Sequence, residues 1–452
     1  MNILVIGCGK IGSTIISSLV AEGHDVTALD NNPKTIEYIT NIYDVIGVCG
    51  NGADSDVLEE AGANKMQLVV AATGSDELNM LSCFLAKRMG AAYTVARIRN
   101  PEYNDKSLAF MRQQLDISLA INPERVAAHE LYNILKFPSA AKIETFSGRN
   151  FEMIELRLKD DSVLDGMRLI DMRNKFKAKF LICAVQRGDE AYIPDGNFIL
   201  RSRDKICLTA SPSEMTKLLK DMGILQKKAR NIMILGGSRT GYYLARRLTN
   251  AGISVKIIER DAKICEELCE VLPKATVING DGAEQELLLE EGLHSLDALV
   301  ALTGIDEENI LLSSFAASHN VPKVIAKVNR DELIPLAEHW GLDTFVSPKK
   351  LISDIIVRYA RALEDSADSS VEALYKLMDD KVEALEFIVK PDFKMLEVTF
   401  KELKTKPNTL VAGIIRDRKT IIPTGDDMLL AGDRVIILAA NQRIGKLSDI
   451  LQ

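Results

Sequence analysis

Long apolar runs are missing from this chain of 452 residues. A membrane-spanning helix needs about 20 consecutive apolar residues, and no stretch approaches that length, so a transmembrane carrier is not expected. The N-terminus MNILVIGCGK has no basic stretch ahead of an apolar one, so no secretory signal is read there. A basic excess is missing too: 56 Lys and Arg stand against 64 Asp and Glu, a formal net charge of −8. Nucleic-acid binding rests on clustered cations at phosphates, and a polybasic membrane anchor needs the same. Neither is expected. The five histidines, His24, His129, His294, His319 and His339, show no metal spacing. The seven cysteines include no C-x-x-C pair, which points to reduced thiols in a cytoplasmic setting. Cys265 and Cys269, four apart on an expected helix, could share a packed face. No GxxxxGK[ST] phosphate loop and no catalytic constellation is present.

What is present is a duplication, the feature to seek first in any chain. At a shift of 229, Gly7 meets Gly236, Gly12 meets Gly241, Gly23 meets Gly252 and Asp30 meets Glu259. At 230, GNGADSDVLEEAG from Gly50 meets GDGAEQELLLEEG from Gly280, Thr73 meets Thr303, Gly74 meets Gly304 and Asn79 meets Asn309. At 229 again, IPDGNFILRSRDK from Ile193 meets IPTGDDMLLAGDR from Ile422. Several separate motifs at nearly one offset define two copies of one unit.

Each copy opens with short apolar strands separated by amphipathic helices. In the first copy the strands are read at Ile3–Ile6, Val26–Asp30, Val45–Val48, Leu68–Ala72, Thr94–Arg97 and Ser118–Ile121, and a closing helix at Pro123–Leu135. That rhythm implies an α/β, doubly wound Rossmann-like parallel sheet of strand order 3-2-1-4-5-6. A small α+β module with alternating strands such as FEMIELRL follows. The expected domains are 1–136 and 229–363 (nucleotide-binding) and 140–225 and 369–452 (small modules), with a closing helix at Leu351–Leu363 in the second copy.

The chemistry concentrates in the first loop. GCGKIG, comprising Gly7, Cys8, Gly9, Lys10, Ile11 and Gly12, follows a strand, opens a helix and precedes Asp30 at the end of the next strand. In this context G-x-G-x-x-G is a dinucleotide fingerprint. Gly7 serves a tight turn, Gly9 lets a pyrophosphate reach the backbone, and Gly12 allows close helix–strand packing. The helix N-terminus offers free N–H groups to phosphate. Asp30 stands where a carboxylate accepts ribose hydroxyls and disfavours a 2′-phosphate. Gly52 and Asp54 are expected on the adenine side, Thr73 and Gly74 near phosphates or the second ribose, and Arg97 as a phosphate counter-charge. Asp76 and Glu77 are read as capping the next helix. In the second copy the loop is Gly236, Gly237, Ser238, Arg239 and Thr240, followed by Glu259, Asp281 and Thr303, with Lys327 in the place of Arg97. A Cβ at Ser238 crowds a pyrophosphate, so the second site is expected to be weaker or to select another nucleotide.

The duplicated order of GxGxxG, Asp30, GNGADSDVLEEAG, AATGSDELNM, VARIRNPEY and INPERVAAHEL, then a small IPDG…DK module, resembles the TrkA family of Trk-type potassium uptake systems over essentially the whole chain. The resemblance implies two regulator-of-potassium-conductance (RCK) units per chain, binding NAD(H) or ATP/ADP. It also implies a homo-oligomeric, tetrameric gating ring beneath a membrane-embedded potassium-translocating Trk subunit, and a regulatory role rather than an enzymatic one. The alternatives are an NAD-dependent oxidoreductase and a nucleotide sensor of another transporter.

Overall fold

The structure, a computed structural model, describes residues 1–452 except 104, 138, 147–150, 161, 226–227 and 366–370. The first copy opens with β1 (Asn2–Ile6), β2 (Asp25–Asp30), β3 (Ile46–Cys49), β4 (Leu68–Ala71), β5 (Tyr93–Arg97) and β6 (Leu119–Ile121). These form one parallel sheet in the order β3-β2-β1-β4-β5-β6. Ile3 faces both Val26 and Leu68 across the ladder. Residues Ile3–Ile6 and Leu68–Ala71 are buried throughout, as strands covered on both faces must be. The antiparallel module that follows contains β7 (Lys142–Phe146), β8 (Phe151–Arg157), β9 (Phe180–Arg187), β10 (Glu190–Tyr192) and β11 (Lys205–Ala210), in the order β10-β9-β11-β8-β7.

The second copy repeats both parts. Its parallel sheet contains β12 (Asn231–Leu235), β13 (Ser254–Glu259), β14 (Thr276–Asn279), β15 (Ala298–Ala301), β16 (Lys323–Lys327) and β17 (Phe345–Val346), in the order β14-β13-β12-β15-β16-β17. Its module contains β18 (Val371–Leu377), β19 (Val382–Ile388), β20 (Thr409–Arg416), β21 (Lys419–Ile421) and β22 (Arg434–Ala440), in the order β18-β19-β22-β20-β21. The fold is thus two Rossmann-like sheets, each followed by an antiparallel module. The modules pack on each other: Phe151, Met153 and Cys207 share one core with Ala384, Ala412 and Leu438. Contact is so close that a Cβ on Gly413 would lie 2.0 Å from Cε2 of Phe151.

The closing helices are exchanged between the copies. Ala127, Ala128, Leu131, Ile134 and Leu135 of the helix Pro123–Lys136 are buried in one core with Ile232, Ile234, Leu244 and Val300 of the second copy. Ile352, Ile356, Val357 and Ala360 of the helix Pro348–Asp365 complete the core of Ile3, Val5, Ile15, Ile16 and Leu19 in the first. Burial of the Leu, Ile and Val side chains among these contributes about 1.5–3 kcal/mol each, so each parallel sheet depends on a helix that the other copy supplies. The Pro348 helix also begins earlier than its apolar periodicity, because proline is suited to a first helical position and the polar Lys349 and Lys350 fill the first turn. The seven cysteines are free. Cys265 is buried and Cys269 exposed, so the two do not share a packed face.

Candidate functional site

The exchange turns the two glycine loops toward one cleft of about 1240 Å³. From the first copy it is lined by Gly7, Gly9, Lys10, Ile11, Asp30, Gly52, Thr73, Gly74 and Arg97, and from the second by Ser238, Arg239, Thr240 and Lys327. The fold does not bring Cys8, Gly12, Asp54, Gly236, Gly237, Glu259, Asp281 or Thr303 to its wall. Asp54 caps the helix Ser55–Glu60 through the Asp56 N–H, and Asp281 accepts the Ala283 N–H at 2.9 Å. Each carboxylate accepts an N–H of its own turn.

At the first loop, Gly7 has φ +90°, a left-handed conformation that glycine adopts without strain. Cβ on Gly12 would lie 1.8 Å from the Gly7 carbonyl oxygen, so the helix Lys10–Ala21 presses directly on the turn. Gly9 differs: a Cβ there would meet nothing within 4 Å. Gly9 is also the N-cap and offers no side-chain hydrogen bond, which leaves the helix N-terminus open to an anion. Asp30 at the end of β2 accepts the Cys8 N–H at 2.7 Å and the Asn32 N–H at 2.9 Å. Its carboxylate therefore already fixes the loop while facing the cleft. Burial, with Asp30 beside it, pushes the Cys8 thiol up to about 12, so this thiol stays protonated and inert.

The second loop has the same frame and a different end. Gly236 has φ +99°, and Glu259 accepts the Gly237 N–H at 2.6 Å and the Asp261 N–H at 2.9 Å. Ser238, however, caps its own helix by accepting the Gly241 N–H. The protein's own hydroxyl thus takes a helix-end donor that Gly9 leaves free.

Two asparagines absent from the sequence reading of the site hold its floor. Asn79, fully buried, accepts the Thr73 N–H at 2.8 Å and donates to the Arg97 carbonyl at 2.9 Å. Asn309 does the same for Thr303 and Lys327. Their coincidence at one repeat offset was the signal for them. Asp76 is not the cap of its helix. Ser75 is, through the Leu78 N–H, while Asp76 grips the N–H groups of Arg99 and Asn100. Arg97 donates to the Thr73 carbonyl at 2.7 Å, and its Nε is buried without a partner among the described residues. Burial lowers the Arg97 pKa, and Arg99 and Arg239 nearby lower it further against Glu124 and Asp76. Burial likewise lowers Lys327, against Asp306 and Glu124. Arg99, Glu124, Arg330 and Lys349 also line the cleft and were not singled out from sequence. Arg99 pairs with Glu124, and Arg330 with Glu307.

Comparison with known proteins gives a consistent result. The TrkA-N domain family matches residues 3–123 and 232–348, and the TrkA-C domain family matches 153–223 and 384–452. The chain is 30% identical to Trk system potassium uptake protein TrkA homolog 2 of Methanosarcina mazei, covering 98% of each. It is 30% identical to the TrkA homolog of Archaeoglobus fulgidus over the full length of both, and 28% identical to TrkA of Vibrio alginolyticus, covering 98% of this chain and 96% of the relative. Among solved structures, the GsuK RCK domain superposes with a TM-score of 0.62 at 18% identity, covering 97% of this chain and 92% of that one. Two tandem matches to both domain families, over nearly all of the sequence, show that the chain belongs to the TrkA family of Trk system potassium uptake proteins.

Proposed function

We propose that this chain is a nucleotide-binding regulatory subunit that gates a membrane-embedded, potassium-translocating Trk subunit. The observation that carries the reading is the shared cleft. An open helix N-terminus at Gly9, the Asp30 carboxylate and a set of cations from both copies face one cavity. The residues fit an adenine nucleotide such as NAD(H), ATP or ADP. Gly9 leaves room beside the backbone, Asp30 suits a ribose, and Lys10, Arg97 and Arg239 suit phosphates. GsuK, which has the same fold, has been solved as a channel bound to NAD and in a form bound to ADP. Among the described residues no helix is long and apolar enough to cross a membrane, so ion passage falls to a partner on whose cytoplasmic face this chain docks.

A ligand held by both copies favours one arrangement of the copies over another. In a tetrameric ring that bias adds across chains. Reversing a balance from 1:99 to 99:1 takes about 5.5 kcal/mol of differential binding, a modest share for each of several sites. The test is potassium flux in vesicles carrying the Trk membrane subunit and this chain, with and without NADH, ATP or ADP. Gly9→Asp places a negative charge at the open helix end, where a Cβ meets nothing within 4 Å, and is expected to abolish the nucleotide response. A response equal to wild type would remove the first loop from the switch.

A further inference from the structure

Two parallel helices, one from each copy, end side by side at the first loop. Ser353 Oγ donates to the Thr14 carbonyl at 3.3 Å, and Arg361 Nε donates to Glu22 at 2.8 Å; both pairs are 339 residues apart. The helices Lys10–Ala21 and Pro348–Asp365 therefore run in the same direction in a fixed register. One turn toward their N-termini, the same spacing sets Lys10 beside Lys349. Both residues line the cleft.

The mirror pair is built with opposite charge. The Arg247 guanidinium lies 4.7 Å above the Tyr132 ring, 115 residues away in sequence. Two turns toward the N-termini the same spacing sets Arg239 beside Glu124, and both of these line the cleft as well. The first turn of the Pro123 helix is acidic through Glu124. The first turns of the Lys10 and Pro348 helices carry no acid. Among the described residues neither Lys10 nor Lys349 has an ion-pair partner. Two like charges and two positive helix ends thus meet at the first loop, and an anion of several charges relieves that field best. At the second loop, Ser238 caps its own helix end, and the helix that faces it brings an acid, Glu124, where the first loop meets Lys349.

We propose that Lys349, supplied by the second copy, is the residue that selects polyphosphates at the first copy's loop. It favours nucleoside di- and triphosphates over the monophosphate by adding a second ammonium beside Lys10. The proposal rests on the nucleotide-binding reading above and adds to it a charge requirement and a residue outside the glycine motif.

Calorimetry on the full chain with ATP, ADP and AMP tests it, on wild type, Lys349→Gln and Lys349→Arg. Wild-type affinity is expected to rise from AMP to ATP. Lys349→Gln is expected to lower ATP affinity about tenfold and leave AMP affinity within twofold. The ATP affinity of this variant also depends less steeply on salt, by about one counterion. Lys349→Arg is expected to restore the ATP preference, which separates loss of charge from loss of fold, as does an unchanged melting temperature without ligand. An ATP-to-AMP ratio unchanged in a folded Lys349→Gln protein overturns the role of Lys349 and leaves the nucleotide site standing. Wild type that binds none of the three nor NADH overturns the nucleotide reading itself.

Discussion

At position 9 the first copy has no side chain, and at the matching position 238 the second copy has a hydroxyl that bonds its own helix end. A serine cap contributes only a few tenths of a kcal/mol over glycine. The first copy therefore forgoes little stability in keeping its helix end open. Gly12 is under a stricter constraint, because its neighbour is a backbone oxygen that cannot turn aside. Overpacking typically costs about 1–3 kcal/mol, and an unyielding backbone neighbour puts Gly12 at the upper end, while the helical preference of alanine over glycine returns at most about 1 kcal/mol. Gly12→Ala is expected to lower stability by about 2 kcal/mol, read as a lower urea midpoint with unchanged slope. A midpoint equal to wild type would contradict the close packing of loop and helix. The two residues carry the same letter in the motif for unrelated reasons: one leaves open space beside the helix end, and the other lets helix and turn touch within the protein.

Among the elements, the strand order of both sheets and the place of each glycine loop were legible in the sequence. Apolar runs bounded by turns mark strands directly, and the duplication supplied each reading twice. The exchange of the Pro123 and Pro348 helices was not legible. An amphipathic stripe such as Ala127, Leu131 and Ile134 shows that a helix buries one face, but not whose sheet the face covers. For the same reason Glu124 and Lys349, which follow the prolines of these helices, were not singled out, though both line the cleft; Asp54 and Asp281, which were, accept N–H groups of their own turns. The exchanged Pro348 helix is also tied electrostatically. Arg361 on it bonds the buried Glu22 of the first copy and Glu383 of the second module, and Lys376 bonds Glu22 at 2.9 Å. Burial alone would raise the Glu22 pKa, but Arg361 and Lys376 outweigh it and hold it below the ordinary 4.5. A carboxylate with a lowered value stabilises the fold fully above its unfolded pKa, and that contribution is lost as pH falls through the folded one. The urea midpoint of wild type is therefore expected to fall steeply below about pH 4.5, and that of Glu22→Gln to fall less in the same window. Parallel profiles would show that the cluster contributes nothing to acid stability.

For the whole molecule, the exchange makes half a chain incomplete. Residues 1–225 alone carry a sheet whose Ile15, Ile16 and Leu19 face has lost the Pro348 helix, and a Pro123 helix that has lost its seat. Two such halves can repair each other by mutual exchange. Sedimentation of this fragment is expected to show a folded dimer, and a stable folded monomer would refute the dependence. Covalent linkage of the copies also changes what substitution can achieve over generations. In a dimer of identical halves, any change at the position shared by Glu124 and Lys349 would strike both loops at once, and an acid gained at one would be an acid gained at the other. Fusion into one chain guarantees that every first half meets a second half, so the two positions can be inherited and altered separately. The opposite charges now found there are a difference that only a fused pair can pass on.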